Sequence, residues 1–212
     1  MINIGALAAV FLVTVFSMML HEVAHGFVAY KLGDETARLS GRLTLNPLKH
    51  IDPWMTIGLP LLLAVLGGPV FGGAKPVPIN TRNLKFGEWG FALVAIAGPL
   101  TNFLLALIFF LVGHYTGWML DSGFLGALMR MGVSVNLGFM LFNIIPIPPL
   151  DGSRVLYALA PEGARRIMEG MERYGVMIML VLVWVFGGVF SNYMVTAQEW
   201  ILGMFQKLVG LG

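Results

Sequence analysis

Two histidines four positions apart, with a glutamate next to the first, are the residues whose types and spacing most directly suggest chemistry: His21, Glu22 and His25 in "HEVAH". On a helix, side chains at i and i+4 leave the same face one turn apart, so both imidazoles can reach one metal ion. A glutamate beside them is placed to activate a water on that ion. The bland alternative is a polar seam between helices. It is disfavoured because the preceding run from Ile4 to Leu20 has no ionisable side chain, and ionisable groups at membrane depth are costly and usually functional. A catalytic zinc takes three protein ligands and keeps a fourth position for water. With no cysteine in the 212 residues, the third must be His, Asp or Glu. His50 and His114 read as interface or surface residues. Asp151, in "NIIPIPPLDG", is preferred: Pro146, Pro148 and Pro149 open the helix before it, and irregular backbone at membrane depth is tolerated where it lines a cavity. A lone Asp-Gly would more simply be a turn; the prolines and the upstream Asn143 weigh against that.

The elements that must position these residues are membrane helices. Hydrophobic residues make up 58% of the chain and charged residues 11%, and the mean hydropathy is +0.83, outside the range of soluble domains. No basic segment precedes Ile4 and no small-residue cleavage site follows the first apolar run, so a helix over Ile4 to Tyr30 is expected to remain in place. Further spans are predicted over Phe91–Tyr115, Leu125–Ile145 and Tyr174–Phe190, with a weakly amphipathic interfacial helix over Val195–Val209 and a polar helical stretch over 152–173. The Gly- and Pro-punctuated alternation of "ARLSGRLTLNPLKHIDP" predicts one or two short strands. Residues 55–71 are apolar but short and broken by Pro60, Gly67, Gly68 and Pro69. The expected fold is an all-α integral membrane protein, a polytopic bundle of about four transmembrane spans with a re-entrant segment and a short membrane-associated β hairpin. Residues 1–212 form one domain, with the C-terminal span and amphipathic helix in 174–209. The net charge of +2, carried by scattered basic residues, gives no footprint for nucleic acid.

"HEVAH", "GPLTN" and "NIIPIPPLDG", in this order, resemble the site-2 protease family of intramembrane zinc metalloproteases (peptidase M50); "GRLTLNPLKHIDP" and "GGAKPVPIN" look like its short bacterial members. The resemblance covers about residues 10–157. It implies one zinc ion per chain held by His21, His25 and Asp151, with Glu22 as general base and acid and Asn143 orienting the substrate or its oxyanion. It also implies a transmembrane protein or peptide as substrate and a bacterial inner-membrane location. No stretch has room for the PDZ or CBS domains that many members carry. A metal transporter or sensor, or an inactive scaffold, would use the same ligands. Against the first, the ionisable groups cluster at one depth and there is no inverted repeat; against the second, a scaffold has no need of Glu22. The oligomeric state is not fixed by the sequence.

Sharing one metal also constrains topology. If residues 55–71 spanned the bilayer, Asp151 would emerge opposite the histidines; if they dip in and return, Asp151 reaches the histidine side. In that arrangement all of the 13 basic residues except Arg130 and Lys207 share one face, which the positive-inside rule makes cytoplasmic. Asn102 and Gly98-Pro99, within the second span, are expected to serve helix packing.

Overall fold

The computed structural model describes residues 4–65 and 72–211. Three helices in it are long and apolar enough to cross a membrane: α1 (Ile4–Lys31), α4 (Gly87–Tyr115) and α5 (Phe124–Asn143). Between α1 and α4 lie two short helices, α2 (Thr36–Leu39) and α3 (Leu59–Val65). After α5 come α6 (Asp151–Leu159), α7 (Glu162–Glu172), α8 (Gly175–Val185) and α9 (Gly187–Leu208).

The long helices are built for lipid outside and close contact inside. On α4, Leu93, Ile96, Leu100, Leu104 and Ile108 recur at helical spacing and are exposed, whereas Ala92, Ala95, Gly98, Asn102 and Ala106 are buried. Lipid tails are as apolar as leucine, so burying large aliphatic groups gains little in a bilayer; small residues instead let backbones approach. The pairings fix an antiparallel order. His21 and His25 of α1 meet Asn102 and Val94 of α4, and Asn102 meets Asn136 of α5. The C-terminal end of α1, the N-terminal half of α4 and the C-terminal half of α5 therefore lie on one side, where α6 begins.

The C-terminal region departs from the predicted boundaries. A bend of 86° separates α8 from α9 at Phe186, where Gly187 and Gly188 follow, two residues that hold a helix weakly. The expected span over Tyr174–Phe190 is thus broken near its end. The expected interfacial helix over Val195–Val209 is instead the main part of α9, whose Ile201 and Phe205 are buried against Ala106, Phe110, Val133 and Leu137. Phe142 meets Phe190, and Ser134 pairs with Gln198, so α9 runs antiparallel to α5.

The predicted β hairpin is not found: there is no strand among the described residues. Its turn-forming residues satisfy the backbone locally. Gly41 and Arg42 donate back to Arg38 and Ala37, and Asn46 caps a 3-10 turn over Pro47–Lys49. His50, expected at the interface or surface, is 3% exposed; its Nε2 bonds the Thr44 carbonyl at 3.0 Å. The segment expected at 55–71 lies partly outside the described residues. Its described part is a wide π turn over Pro53–Gly58 followed by α3. The flanks on either side meet: Gly73 N donates to Met55 O at 3.0 Å, Thr56 Oγ1 to Gly73 O at 2.7 Å, and Lys75 N to His50 O at 2.8 Å.

Candidate metal centre

His21 and His25 lie on one face of α1, within its last three turns, and are 8% and 7% exposed. Asp151 is the first residue of α6 and arrives from the turn that the prolines create after α5. The structure brings the three side chains together. Nε2 of His21 and Nε2 of His25 are 3.0 Å apart, and Asp151 Oδ2 lies 3.1 Å from the first and 3.4 Å from the second. Zinc bonds nitrogen and oxygen at roughly 2.0–2.2 Å, so the edges of its ligand tetrahedron measure about 3.3–3.6 Å. The longest observed edge, 3.4 Å, is of that size, and the other two, 3.0 and 3.1 Å, are slightly shorter.

Hydrogen bonds on the far side of each ring set which nitrogen faces the centre. His25 Nδ1 lies 2.8 Å from the Val94 carbonyl, which can only accept, so Nδ1 carries the proton and Nε2 presents a lone pair. For His21 the argument starts further away, at the Gly132 carbonyl. Asn136 Nδ2 donates to it at 2.8 Å, Asn136 Oδ1 accepts from Asn102 Nδ2 at 2.9 Å, and Asn102 Oδ1 lies 2.6 Å from His21 Nδ1. Because the chain ends on an obligate acceptor, every amide orientation in it is determined, and His21 Nε2 also presents a lone pair. Asp151 Oδ2 is buried with no hydrogen-bond donor. Three acceptor atoms converging in a buried place repel one another unless a cation sits among them. The donor set therefore fits zinc, with His21, His25 and Asp151 as ligands.

Glycine makes room at two points. A Cβ at Gly98 would lie 2.5 Å from ring atoms of both His21 and His25, and one at Gly152 would lie 2.1 Å from the Ile144 carbonyl oxygen. The first lets α4 press against the ligand rings; the second lets α6 start tightly against the end of α5, which places Asp151. The expectation that Gly98 serves close packing against α1 is met. Asn102 does bond between helices, as expected, and through His21 it also orients a ligand, the usual task of groups behind a metal shell. Sequence reasoning missed Asn136 and the Val94 carbonyl. Asn136 carried a signal, as an amide interrupting an apolar run, and the structure buries it fully; a backbone carbonyl carries none.

Glu22 is half-buried, and its Oε2 accepts a hydrogen bond from Val77 N at 2.8 Å. Asn143 is not brought into contact with the ligand triangle; its Nδ2 donates to Phe139 O of its own helix at 3.0 Å. His114 stands elsewhere, stacked on Phe110 with ring centroids 6.2 Å apart.

Comparison with known proteins supplies the family. The family model "Peptidase family M50" matches residues 112–186, a window that includes Asp151. The chain is 44% identical over 174 residues to "Putative zinc metalloprotease YwhC" of Bacillus subtilis, covering 79% of this chain and 76% of that protein. It is 32% identical over 186 residues to "Putative zinc metalloprotease Rip2" of Mycobacterium tuberculosis, covering 82% of this chain and 68% of that protein. It is also 32% identical over 174 residues to the Rip2 protein of Mycolicibacterium smegmatis, covering 79% and 63%. No solved structure matches significantly. A buried His-His-Asp triangle on membrane helices, shared descent with these relatives and the match of the family model place the chain in peptidase family M50, the site-2 protease family, as a multi-pass membrane zinc metalloprotease.

Proposed function

We propose that the chain hydrolyses peptide bonds within or beside transmembrane segments of other proteins, with Glu22 as the general base and acid and one zinc ion per chain. The observation that carries this reading is the placement of the ligand triangle. His21 and His25 lie 6 to 10 residues before the end of α1, roughly 9–15 Å along its axis, on helices whose outer faces are apolar. His21, His25 and Asp151 would hold zinc there, which would supply Lewis-acid polarisation of a carbonyl and a water of lowered pKa. Glu22 accepts the water's proton and returns it to the departing amine. Asn143 has one amide hydrogen on Phe139; its second is free to donate to the substrate carbonyl as charge develops there.

In the membrane we read four spans, α1, α4, α5 and α9, with both ends of the chain on the outer side. The hydrogen bonds that join residues 50–56 to residues 73–75 support a re-entrant segment, since its flanks meet. The site then lies nearer the cytoplasmic face of a bacterial inner membrane, the side that carries most of the basic residues.

Replacing Glu22 by Gln in the purified protein is expected to leave zinc content unchanged and to abolish cleavage of a membrane-embedded single-span peptide, a fall of about 10²–10⁴-fold. Metal analysis and gel-based cleavage in proteoliposomes test it, and retained cleavage overturns the role of Glu22. Proteomics of membrane-protein fragments with the two forms would identify the substrate class.

A further inference from the structure

Arg42 is 7% exposed and has no carboxylate partner among the described residues. Its Nη2 instead donates to two backbone carbonyls, Lys75 O at 2.5 Å and Pro76 O at 3.3 Å, while its Nε is buried without a hydrogen bond. Burying a guanidinium to hold backbone is costly, and what the arrangement accomplishes appears one residue further along. In "KPVPIN", residues 75–80, prolines at 76 and 78 remove two N–H groups, so Val77 carries the only N–H between Lys75 and Ile79. That N–H donates to Glu22 Oε2 at 2.8 Å. The strap is tied on both sides: Lys75 N bonds His50 O at 2.8 Å, and Asn80 N bonds Asp34 Oδ2 at 2.7 Å.

We propose that Arg42 is a positioning residue for Glu22. It fixes the strap at Lys75 and Pro76 so that the Val77 N–H holds one carboxylate oxygen, leaving the other to take the proton of the attacking water. Prolines on both sides of Val77 stiffen the strap, so the donor is set before substrate binds, as electrostatic preorganisation requires. The inference rests on Glu22 being the base, and its test separates the two ideas.

Two matched pairs are compared in the zinc-loaded full chain, with fluorescein-labelled casein as the probe, an unfolded protein whose peptide bonds need no unwinding. Val77→Pro removes the N–H, whereas Val77→Ala keeps it and trims the side chain. Arg42→Gln removes the cationic anchor, whereas Arg42→Lys keeps a single cationic donor, enough for two bonds that both come from one nitrogen. Losing a hydrogen bond to a charged group predicts a fall in kcat of at least about tenfold for Val77→Pro and Arg42→Gln. KM and zinc content should stay near wild type, and kcat should be largely retained in Val77→Ala and Arg42→Lys. Hydrogen exchange of the Val77 amide, which needs no activity, should be slow in the wild type and faster in Arg42→Gln and Glu22→Ala. Unchanged Val77 exchange in Arg42→Gln, or an equal loss of kcat in Val77→Ala and Val77→Pro, overturns the proposal. Should Arg42→Gln not accumulate, Arg42→Met, which keeps the apolar stem and removes the donors, takes its place with the same expected loss of kcat and faster Val77 exchange, and unchanged Val77 exchange in it overturns the proposal. Full activity of Glu22→Gln would instead overturn the assignment of the base, while Val77 exchange would still report whether the contact exists.

Discussion

The helices α4 and α5 take part in two interiors made of opposite materials. Around the metal centre, contact between helices runs through small residues and directional bonds: Gly98 against two imidazoles, and Asn102 between His21 and Asn136. Beneath α9, the same two helices bury Phe110, Val133 and Leu137 against Ile201 and Phe205, with aromatic pairs whose centroids lie 5.5 and 5.6 Å apart. The first region stores orientation and the second stores packing. A bilayer rewards both, since it offers neither polar partners nor the density of a protein interior. Only orientation, however, can tell a metal which lone pairs to use. Changes in one region should therefore be read in metal affinity, and changes in the other in stability.

The strongest way to break that division is Asn102→Leu. It keeps the number and branching of the side chain's heavy atoms but removes the acceptor for His21 Nδ1 and the donor to Asn136. Loss of such a supporting partner typically lowers metal affinity about 10–100-fold, and competition with a fluorescent zinc chelator would measure it. An affinity within twofold of the wild type would show that the ring is held by packing alone. Phe205→Ala is the converse and should have the smaller effect on the metal. Truncating a buried phenylalanine costs roughly 3–5 kcal/mol in a soluble core; here part of that loss is avoided, because lipid tails are the alternative surroundings. Denaturation in mixed micelles should register lower stability, with zinc affinity unchanged. A parallel fall in affinity would mean that the two interiors are coupled.

The same contrast explains what could be read from the sequence. The side-chain cluster that could hold a metal was legible because that chemistry restricts residue type and spacing: His21 and His25 sit one turn apart with Glu22 beside them, and the prolines before Asp151 mark an opened helix. The three long helices were legible because their lipid faces are continuous. The end of the chain was less so. α9 carries Asn192, Gln198 and Glu199, which depress its hydropathy, and α8 is wholly apolar, so hydropathy favours the wrong one of the pair as the long helix. The hairpin failed for another reason. Alternation in "RLTLNPL" imitates a strand, but Gly41, Asn46 and Pro47 close turns within a few residues, and local hydrogen bonds then leave no ladder to form. His50 shows the limit of reading a histidine by its polarity: in a loop its burial depends on residues 73–75 returning beside it, a long-range fact absent from its own neighbourhood.

The remaining prediction concerns the water-facing edge of the oriented region, where the smallest effect is expected. Asp34, just beyond α1, ties that helix's end to the strap and the loop after it. Its carboxylate accepts from Thr36 Oγ1 at 2.5 Å, Asn80 N at 2.7 Å and Asn83 Nδ2 at 3.3 Å. Burial alone would raise its pKa, but the hydrogen bonds from Thr36, Asn80 and Asn83 outweigh it and hold the group below the usual carboxylate value. A folded-state pKa below the unfolded one means that the unfolded chain binds the proton more readily. The contribution is therefore fully present above the ordinary aspartate range, near pH 4, and is lost as pH falls through the lower folded value. Thermal stability of the wild type should thus fall on acidification below about pH 4. In Asp34→Asn that component of the acid dependence should disappear, leaving a protein less stable at neutral pH but flatter in its response. Because Asp34 touches Asn80 and not the ligands, zinc affinity at neutral pH should be unaffected. A loss of affinity in this variant would show that the strap transmits strain to the metal centre, and the division between orientation and packing would then have to extend to the loops.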